Sequence, residues 1–365
     1  LICSLRHRVA PPNLHLRRFN PHIDIARGSD ARPFLLPTKP LALDTILDDK
    51  KDEALIGAVS SFGFGGSNAH AIVEVPPVSR PSGPSENASI TDADSTVSKA
   101  GNQPMVWLFT GQGSQYVDMA RWLYESDPVF RQTIKECSDF LQSEKLLPES
   151  GPTRIEDVIY SGPNTDKERA ESVLMQTDYS QVAILVVQLA ITRMLNEKGL
   201  YPTAVLGHSL GEYAAAVAAG IFSWQDALSI VSHRARIMSG QPVRDGVMAA
   251  CRVSAEQVQH ALECDLQDLR LVALAADNGP QSVVISGTKS EVDRVLKHLG
   301  VSEKARFLRV SHAFHSPLMA GAVEPVRHLF DSVTFRAPKI PFASTVLGRL
   351  ATDGEILVPE YWAEQ

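Results

Sequence analysis

The sequence predicts an α/β fold in which a parallel sheet carries a sharp strand-to-helix turn, and three observations predict it. An apolar run at 203–206 enters Gly207-His208-Ser209-Leu210-Gly211 and leaves through an alanine-rich run at 213–219 that reads as a buried helix. A second apolar run at 106–109 enters a glycine-rich loop, Thr110-Gly111-Gln112-Gly113-Ser114-Gln115, ahead of a helical stretch. From about 247 to 310 the elements follow the order β-α-β-β-α-β, the ferredoxin-like supersecondary pattern.

Composition bounds what such a chain does. Its 365 residues allow two domains, or one large domain with attachments, and 44% hydrophobic with 21% charged residues is the make-up of a soluble globular protein. A net charge of -7 without any basic block gives no footing for nucleic acid, so an anionic ligand would have to be met by local cations. Cys3, Cys137, Cys251 and Cys264 lie far apart with no C-x-x-C pair, which suggests neither a disulfide framework nor a zinc site and reads as a reducing, cytoplasmic setting. The longest apolar run, 182–191, is broken by Gln188 and too short to span a membrane. The start, Leu1-Ile2-Cys3-Ser4-Leu5-Arg6, has neither an initiator methionine nor the layout of a signal peptide, and reads as a piece of a longer protein.

Residues 1 to about 77 lack sustained periodicity and are punctuated by Pro11-Pro12-Asn13, Asn20-Pro21 and the prolines at 37–40. Two apolar runs, 56–60 and 69–75, are expected as strands joined by the turn Phe62-Gly63-Phe64-Gly65-Gly66-Ser67-Asn68. Its glycines do not fit G-x-G-x-x-G, so no phosphate cradle is expected, and on physical grounds His70 reads as a hydrogen-bonded core histidine. Residues 78–104 are rich in Ser, Pro, Asn, Asp and Gly and cannot bury enough surface to offset their ordering entropy, so they read as a flexible linker. From 105 onward helices are expected at 119–124, 128–147 and 177–198, then, after the Ser209 turn, at 224–238, which carries Arg234 and Arg236. The block that follows, strand 247–252, helix 254–263, strands 271–276 and 282–286, helix 288–299 and strand 306–310, reads as a small inserted subdomain.

The chemistry centres on Ser209. A strand, G-x-S-x-G and a helix together form a hydrolase-like nucleophile elbow, in which flanking glycines permit close approach and the strained serine stands exposed above the sheet. The following helix aims free N–H groups and its positive dipole end at an anion forming beside Ser209. A serine hydroxyl also needs a base within hydrogen-bond reach. His208 adjoins the serine and is expected to point away; His233, His260 and His298 read as surface residues. In Ser311-His312-Ala313-Phe314-His315-Ser316-Pro317, two histidines follow a strand end, and His315 is the expected base. His312 and His315 have the spacing of a metal pair, but no carboxylate or cysteine joins them, so no metal is expected.

Combined, these motifs carry a resemblance. Gly111 to Gln115, Gln176-Thr177-Asp178-Tyr179-Ser180-Gln181, the elbow, Arg234 before Ile237-Met238, Asn278-Gly279-Pro280 and His312 to Ser316 are similar to the malonyl-CoA:acyl carrier protein transacylase family, specifically the acyltransferase domain of polyketide synthases. The resemblance covers 106–365. It implies Ser209 as nucleophile, His315 as base, backbone N–H groups of Gln112 and Leu210 as the oxyanion hole, and Arg234 as the partner of the extender carboxylate. It further implies substrate contact for Gln181, Asn278 and Phe314, and a main-chain carbonyl at or near Gln365 that orients His315. Malonyl-CoA and the phosphopantetheine thiol of an acyl carrier protein are the implied substrates, with no bound cofactor, no nucleic acid and no membrane. Phe314 and Leu210 resemble the malonyl-selective members, whereas methylmalonyl relatives carry Tyr and a smaller residue in the second-histidine motif and glutamine after the nucleophile.

A second resemblance covers 1–77. Leu5-Arg6-His7-Arg8-Val9-Ala10-Pro11-Pro12-Asn13-Leu14-His15, Asn20-Pro21-His22-Ile23-Asp24 and 59–70 look like the C-terminal end of a thiolase-fold ketosynthase, in which His70 would be the histidine that assists condensation. The family's nucleophilic cysteine is not matched by Cys3, so this stretch is expected to be inactive in condensation and the surrounding protein to be a multidomain synthase. Two other readings compete: a serine esterase or thioesterase, which expects an acid loop between Ser209 and His315, and a non-catalytic docking fragment.

Overall fold

The structure, a computed structural model, describes residues 9–10, 41–42, 55–62, 68–75, 105–162, 166–241, 245–308 and 310–365, with side chains described from 105 onward. The chain divides into two compact units, Leu1–Ser98 and Lys99–Gln365.

In the first unit β1 (Val9–Ala10) pairs antiparallel with β2 (Leu41–Ala42), and β3 (Leu55–Phe62) with β4 (Asn68–Val75). The two apolar runs thus form a strand pair in register from Leu55 opposite Val75 to Phe62 opposite Asn68. The backbone of His70 sits opposite Ser60, and its side chain is outside the described residues, as are Cys3, the motif segments around Pro11 and Pro21, and the 78–104 stretch.

The second unit is built on β5 (Val106–Phe109), β6 (Ala204–Gly207) and β11 (Phe342–Ser344), mutually parallel, with β12 (Arg349–Leu350) antiparallel at one edge. The strand order is β12-β11-β6-β5, which places β6 and the turn that follows it in the interior of the sheet. Helices α1 (Arg121–Ser126), α2 (Pro128–Ser143), α3 (Ile155–Ile159), α4 (Lys167–Leu174) and α5 (Thr177–Glu197) lie between β5 and β6. Asp127 starts α2 by accepting from Val129 and Phe130 N–H groups, both at 3.0 Å, with Pro128 at the first helical position. Then come α6 (Gly211–Ala219) and α7 (Trp224–Ser239), the latter opened by a Ser223/Asp226 capping box. Apolar on nearly every side, α5 is a buried core helix; among the described residues no single helix is long and apolar enough to cross a membrane.

Two expected helices shift at their ends. The 119–124 helix starts at Arg121 because Asp118 and Ala120 take positive φ of 68° and 55°, outside helical backbone. The 128–147 helix stops at Ser143: Lys145 turns left-handed at φ 55° and Leu146 N–H folds back to Leu141 O at 2.9 Å, which returns Leu146 and Leu147 to the core.

The small sheet comprises β7 (Gly246–Cys251), β8 (Val272–Gly279), β9 (Ser282–Thr288) and β10 (Arg306–Phe307), all antiparallel, in the order β10-β7-β9-β8. Helix α8 (Ala255–His260), continued by a π-turn over Ala261–Asp265, and α9 (Lys289–His298) complete it. Its core is its own, with Ala249, Val258, Val283, Ile285, Val292 and Val295 buried together. The strand expected over 306–310 is paired as β10 only at Arg306 and Phe307, although Leu308 N–H still reaches Met248 O at 2.8 Å.

The C-terminal part closes the large core. Helix α10 (Ala320–His328) leads to β11 and β12, then to α11 (Asp353–Ile356) and α12 (Pro359–Glu364). On α12, Trp362 is fully buried, its ring centroid 5.1 Å from Phe222 and 5.5 Å from Tyr213 of α6. Aromatic packing of this kind fixes α12 against the helix that follows Ser209.

Candidate active site

The turn after β6 follows from its glycines. A Cβ on Gly207 would lie 2.1 Å from Glu212 N and one on Gly211 2.2 Å from Phe109 O, so no side chain fits at either position. His208 N–H bonds Phe109 O at 2.9 Å and Glu212 N–H bonds Ser209 O at 2.8 Å. Between these ties Ser209 is held left-handed at φ 49°, the strained apex of the turn.

His315 arrives from the loop between the small sheet and α10. Its φ is 54°, and the next residue, Ser316, donates to Ala313 O at 2.6 Å and caps the short 3₁₀ turn Pro317–Met319. This brings His315 Nε2 to 2.8 Å from Ser209 Oγ. Burial, then the charge of Arg234 and then His208, pull the His315 imidazole down to about 4, so at neutral pH it is uncharged and free to accept a proton. Among the described residues no carboxylate hydrogen-bonds His315.

The pair opens on a cavity of about 340 Å³ whose lining includes Gln112, Leu210, Arg234, Asn278, Phe314 and Gln365. Among the described residues neither the Gln112 nor the Leu210 backbone N–H donates a hydrogen bond, which leaves two free donors beside Ser209. Arg234, on α7, is 5% exposed, donates to Gln181 Oε1 at 2.8 Å and stacks its guanidinium 5.5 Å from the Tyr213 ring centroid. No acidic side chain among the described residues forms an ion pair with it. A buried cation of this kind is costly unless a counter-charge meets it.

The remaining expected residues fall differently. Gln181 is fully buried and absent from the lining; it sits behind Arg234, its Nε2 on Gln112 Oε1 at 3.2 Å, and props the guanidinium where direct substrate contact was expected. Asn278 lines the cavity with its Oδ1 3.1 Å from His208 Nε2. Gln365 reaches the lining, but its carbonyl makes no hydrogen bond to His315; its N–H is turned back onto Tyr361 O in helical register at 3.1 Å. Phe314, Met238, Met248 and Val284 form one wall, and Met319 belongs to the same buried cluster. His312 is a tether, its Nδ1 on Ser311 Oγ at 2.9 Å and Ser311 Oγ on Thr177 Oγ1 at 2.8 Å. Among the described residues no group of three His, Cys, Asp or Glu is suited to hold a metal.

Sequence reasoning passed over Glu212. It is fully buried and accepts from Thr345 N and Thr345 Oγ1, each at 2.6 Å, and from Tyr361 Oη at 2.6 Å. Burial raises its carboxyl above the ordinary range, against the pull of these donors. The available signal was an acid directly after the second elbow glycine, in a run otherwise of Ala, Val and Tyr.

Chemically the arrangement offers a nucleophile, a neutral base, two oxyanion donors and a cation for a carboxylate, a set suited to moving an acidic acyl group through a serine ester. The acyl transferase domain family matches residues 106–365. The chain is 28% identical over 446 residues to the spectinabilin polyketide synthase system protein NorB of Streptomyces orinoci, a match that takes in 99% of this chain and 19% of that protein's length. It is 30% identical to the acyl transferase domain of ZmaA, with a TM-score of 0.64 over 73% of this chain and 58% of that one. It is also 28% identical, with a TM-score of 0.62 over 72% of this chain and 80% of that chain, to a protein in the complex of a type II PKS acyl-carrier protein with its malonyl-transacylase.

Proposed function

The chain belongs to the acyl transferase domain family, and from that premise we propose that residues 105–365 transfer malonyl from malonyl-CoA to the phosphopantetheine thiol of an acyl carrier protein within a polyketide synthase. The observation that carries this reading is the buried Arg234, which has no acidic partner among the described residues, in the same cavity as the Ser209–His315 pair. Its planar fork binds both oxygens of a carboxylate and keeps its charge when desolvated.

His315 Nε2 takes the proton of Ser209 Oγ as Oγ attacks the thioester carbonyl. The oxyanion faces the N–H groups of Gln112 and Leu210, an interaction worth about 2.7–4 kcal/mol per donor. Collapse breaks the carbon–sulfur bond, and coenzyme A leaves with the proton from His315. A carrier-protein thiol then gives its proton to His315, attacks the malonyl ester and regenerates Ser209. The malonyl-transacylase complexed with an acyl-carrier protein supports both substrate and partner. An esterase reading is disfavoured, because a neutral ester gives Arg234 no counter-charge.

We read the antiparallel unit from β7 to β10, with its β-α-β-β-α-β order, as the ferredoxin-like subdomain. Residues 1–77 are read as the thiolase-fold C-terminal end of a ketosynthase, 78–104 as the linker, and the setting as cytoplasmic, where coenzyme A thioesters are supplied. Intact mass after brief mixing with malonyl-CoA tests the central claim. A stable malonyl adduct that disappears on adding carrier protein supports it; turnover to free malonate without an adduct overturns it.

A further inference from the structure

Glu212 is where three distant segments meet the nucleophile. Its backbone N–H closes the Ser209 turn, while its side chain binds Thr345, between β11 and β12, and Tyr361, on α12. Both partners lead to the cavity: Thr345 and Val346 line it, and α12 ends in Glu364 and Gln365, which line it as well. Tyr361 Oη also lies 2.7 Å from Ser344 Oγ, and Leu347 N–H bonds that same oxygen at 2.9 Å. One carboxylate therefore joins the strained turn, the β11–β12 hairpin and the C-terminal helix. Among the described residues no acid bonds His315, and the buried carboxylate of Glu212 stands on the nucleophile's side of the pair.

We infer that Glu212 is a positioning residue, holding Ser209 and the Thr345 wall in the geometry from which Ser209 reacts; the inference rests on the reading of Ser209 as the acylated nucleophile. Because the effect runs through hydrogen bonds, a glutamine serves nearly as well. Its Oε1 accepts from Thr345, and its amide donates to Tyr361 Oη, which turns its own proton to Ser344 Oγ.

The test uses a fluorophosphonate probe, which reports Ser209 reactivity whatever the natural donor: Oγ bonds to phosphorus, fluoride leaves, and His315 takes the proton. Glu212→Ala is expected to lower the maximal labelling rate roughly 10- to 100-fold at unchanged probe affinity, since displacing a reacting atom by about 1 Å has that effect. Glu212→Gln is expected to stay within about 3-fold of wild type, as hydrogen bonding is preserved. Wild-type labelling in Glu212→Ala, or a glutamine variant as impaired as the alanine one, overturns the inference. If Glu212→Ala does not fold, Tyr361→Phe and Thr345→Val decide: slowed labelling in both supports it, and a wild-type rate in either overturns it. A wild-type protein that takes the probe but not malonyl-CoA defeats the proposed substrate while leaving this comparison intact.

Discussion

Ser209 and His315 face each other at 2.8 Å from two left-handed residues, with φ of 49° and 54°, neither of them glycine. Each such backbone costs about 1–3 kcal/mol and persists only where surrounding contacts over-determine it. Here those contacts are the Gly207 and Gly211 close approaches on one side and the Ser316 cap on the other.

Removing either partner separates their roles. Ser209→Ala is expected to abolish covalent loading by malonyl-CoA with the fold intact, because a single oxygen is lost. His315→Ala is expected to slow loading and unloading by roughly 10²–10⁴. Intact mass and stopped-flow loading check both; greater damage from His312→Ala or His208→Ala shows the base to be another residue.

The acidity of His315 sets the pH dependence. With the imidazole lowered to about 4, the reactive neutral form persists well below the ordinary histidine value of 6.5. Loading is therefore expected to hold from neutral pH through 6 and to fall only as pH approaches 4. Arg234 is one cause of the lowering, so Arg234→Ala, assayed with acetyl-CoA to keep the substrate uncharged at its acyl end, is expected to move the acid limb upward. An acid limb near 6.5 in the wild type contradicts this.

Arg234 itself is expected to divide substrates. Arg234→Ala is expected to lower malonyl kcat/KM by about 2–5 kcal/mol, roughly 30- to 5,000-fold. Acetyl transfer should be equal or improved, because acetyl leaves the wild-type guanidinium buried and unpaired. Equal losses for both thioesters assign Arg234 to the structure alone.

The C-terminal helix is expected to be an integral part of the core. Trp362 is fully buried against Phe222, Phe330, Phe342 and Tyr213, so Trp362→Ala should cost about 3–5 kcal/mol. Denaturant unfolding measures the loss; a change below about 1 kcal/mol, within reach of surface substitutions, speaks against the packing described.

What was legible in the sequence was what local chemistry determines. The strand, glycines and alanine-rich helix around Ser209 announce the turn because each neighbour sets the next one's backbone. The β-α-β-β-α-β order likewise shows in its alternating periodicity. The helix ends at Arg121 and Ser143 were not legible, because the left-handed Asp118 is tied to Ile159 and Ser161, distant in sequence, and the chain turns at Lys145 to return Leu146 and Leu147 to the core. Nor was Glu212, whose partners Thr345 and Tyr361 are 133 and 149 residues away. Gln181 shows the same limit: its motif marks it as part of the site, but only the packing of α5 on α7 tells that it faces Arg234 from behind.

Extender choice is expected to turn on Phe314. The residue is 5% exposed, lines the cavity one position before the base and is packed by Met238, Met248 and Met319, so its ring has little room to turn away. The ring is expected to face C2 of the acyl group and to leave no volume for a branch methyl, favouring malonyl over methylmalonyl. One methyl in a pocket is worth about 1–3 kcal/mol, so the expected selectivity is roughly 10- to 200-fold and no more. Phe314→Ser should erode it by admitting the methyl, raising methylmalonyl loading more than it lowers malonyl loading. Competition between the two thioesters, read by the mass of the acyl-enzyme, decides: a methylmalonyl preference in the unmutated protein removes Phe314 as the steric gate.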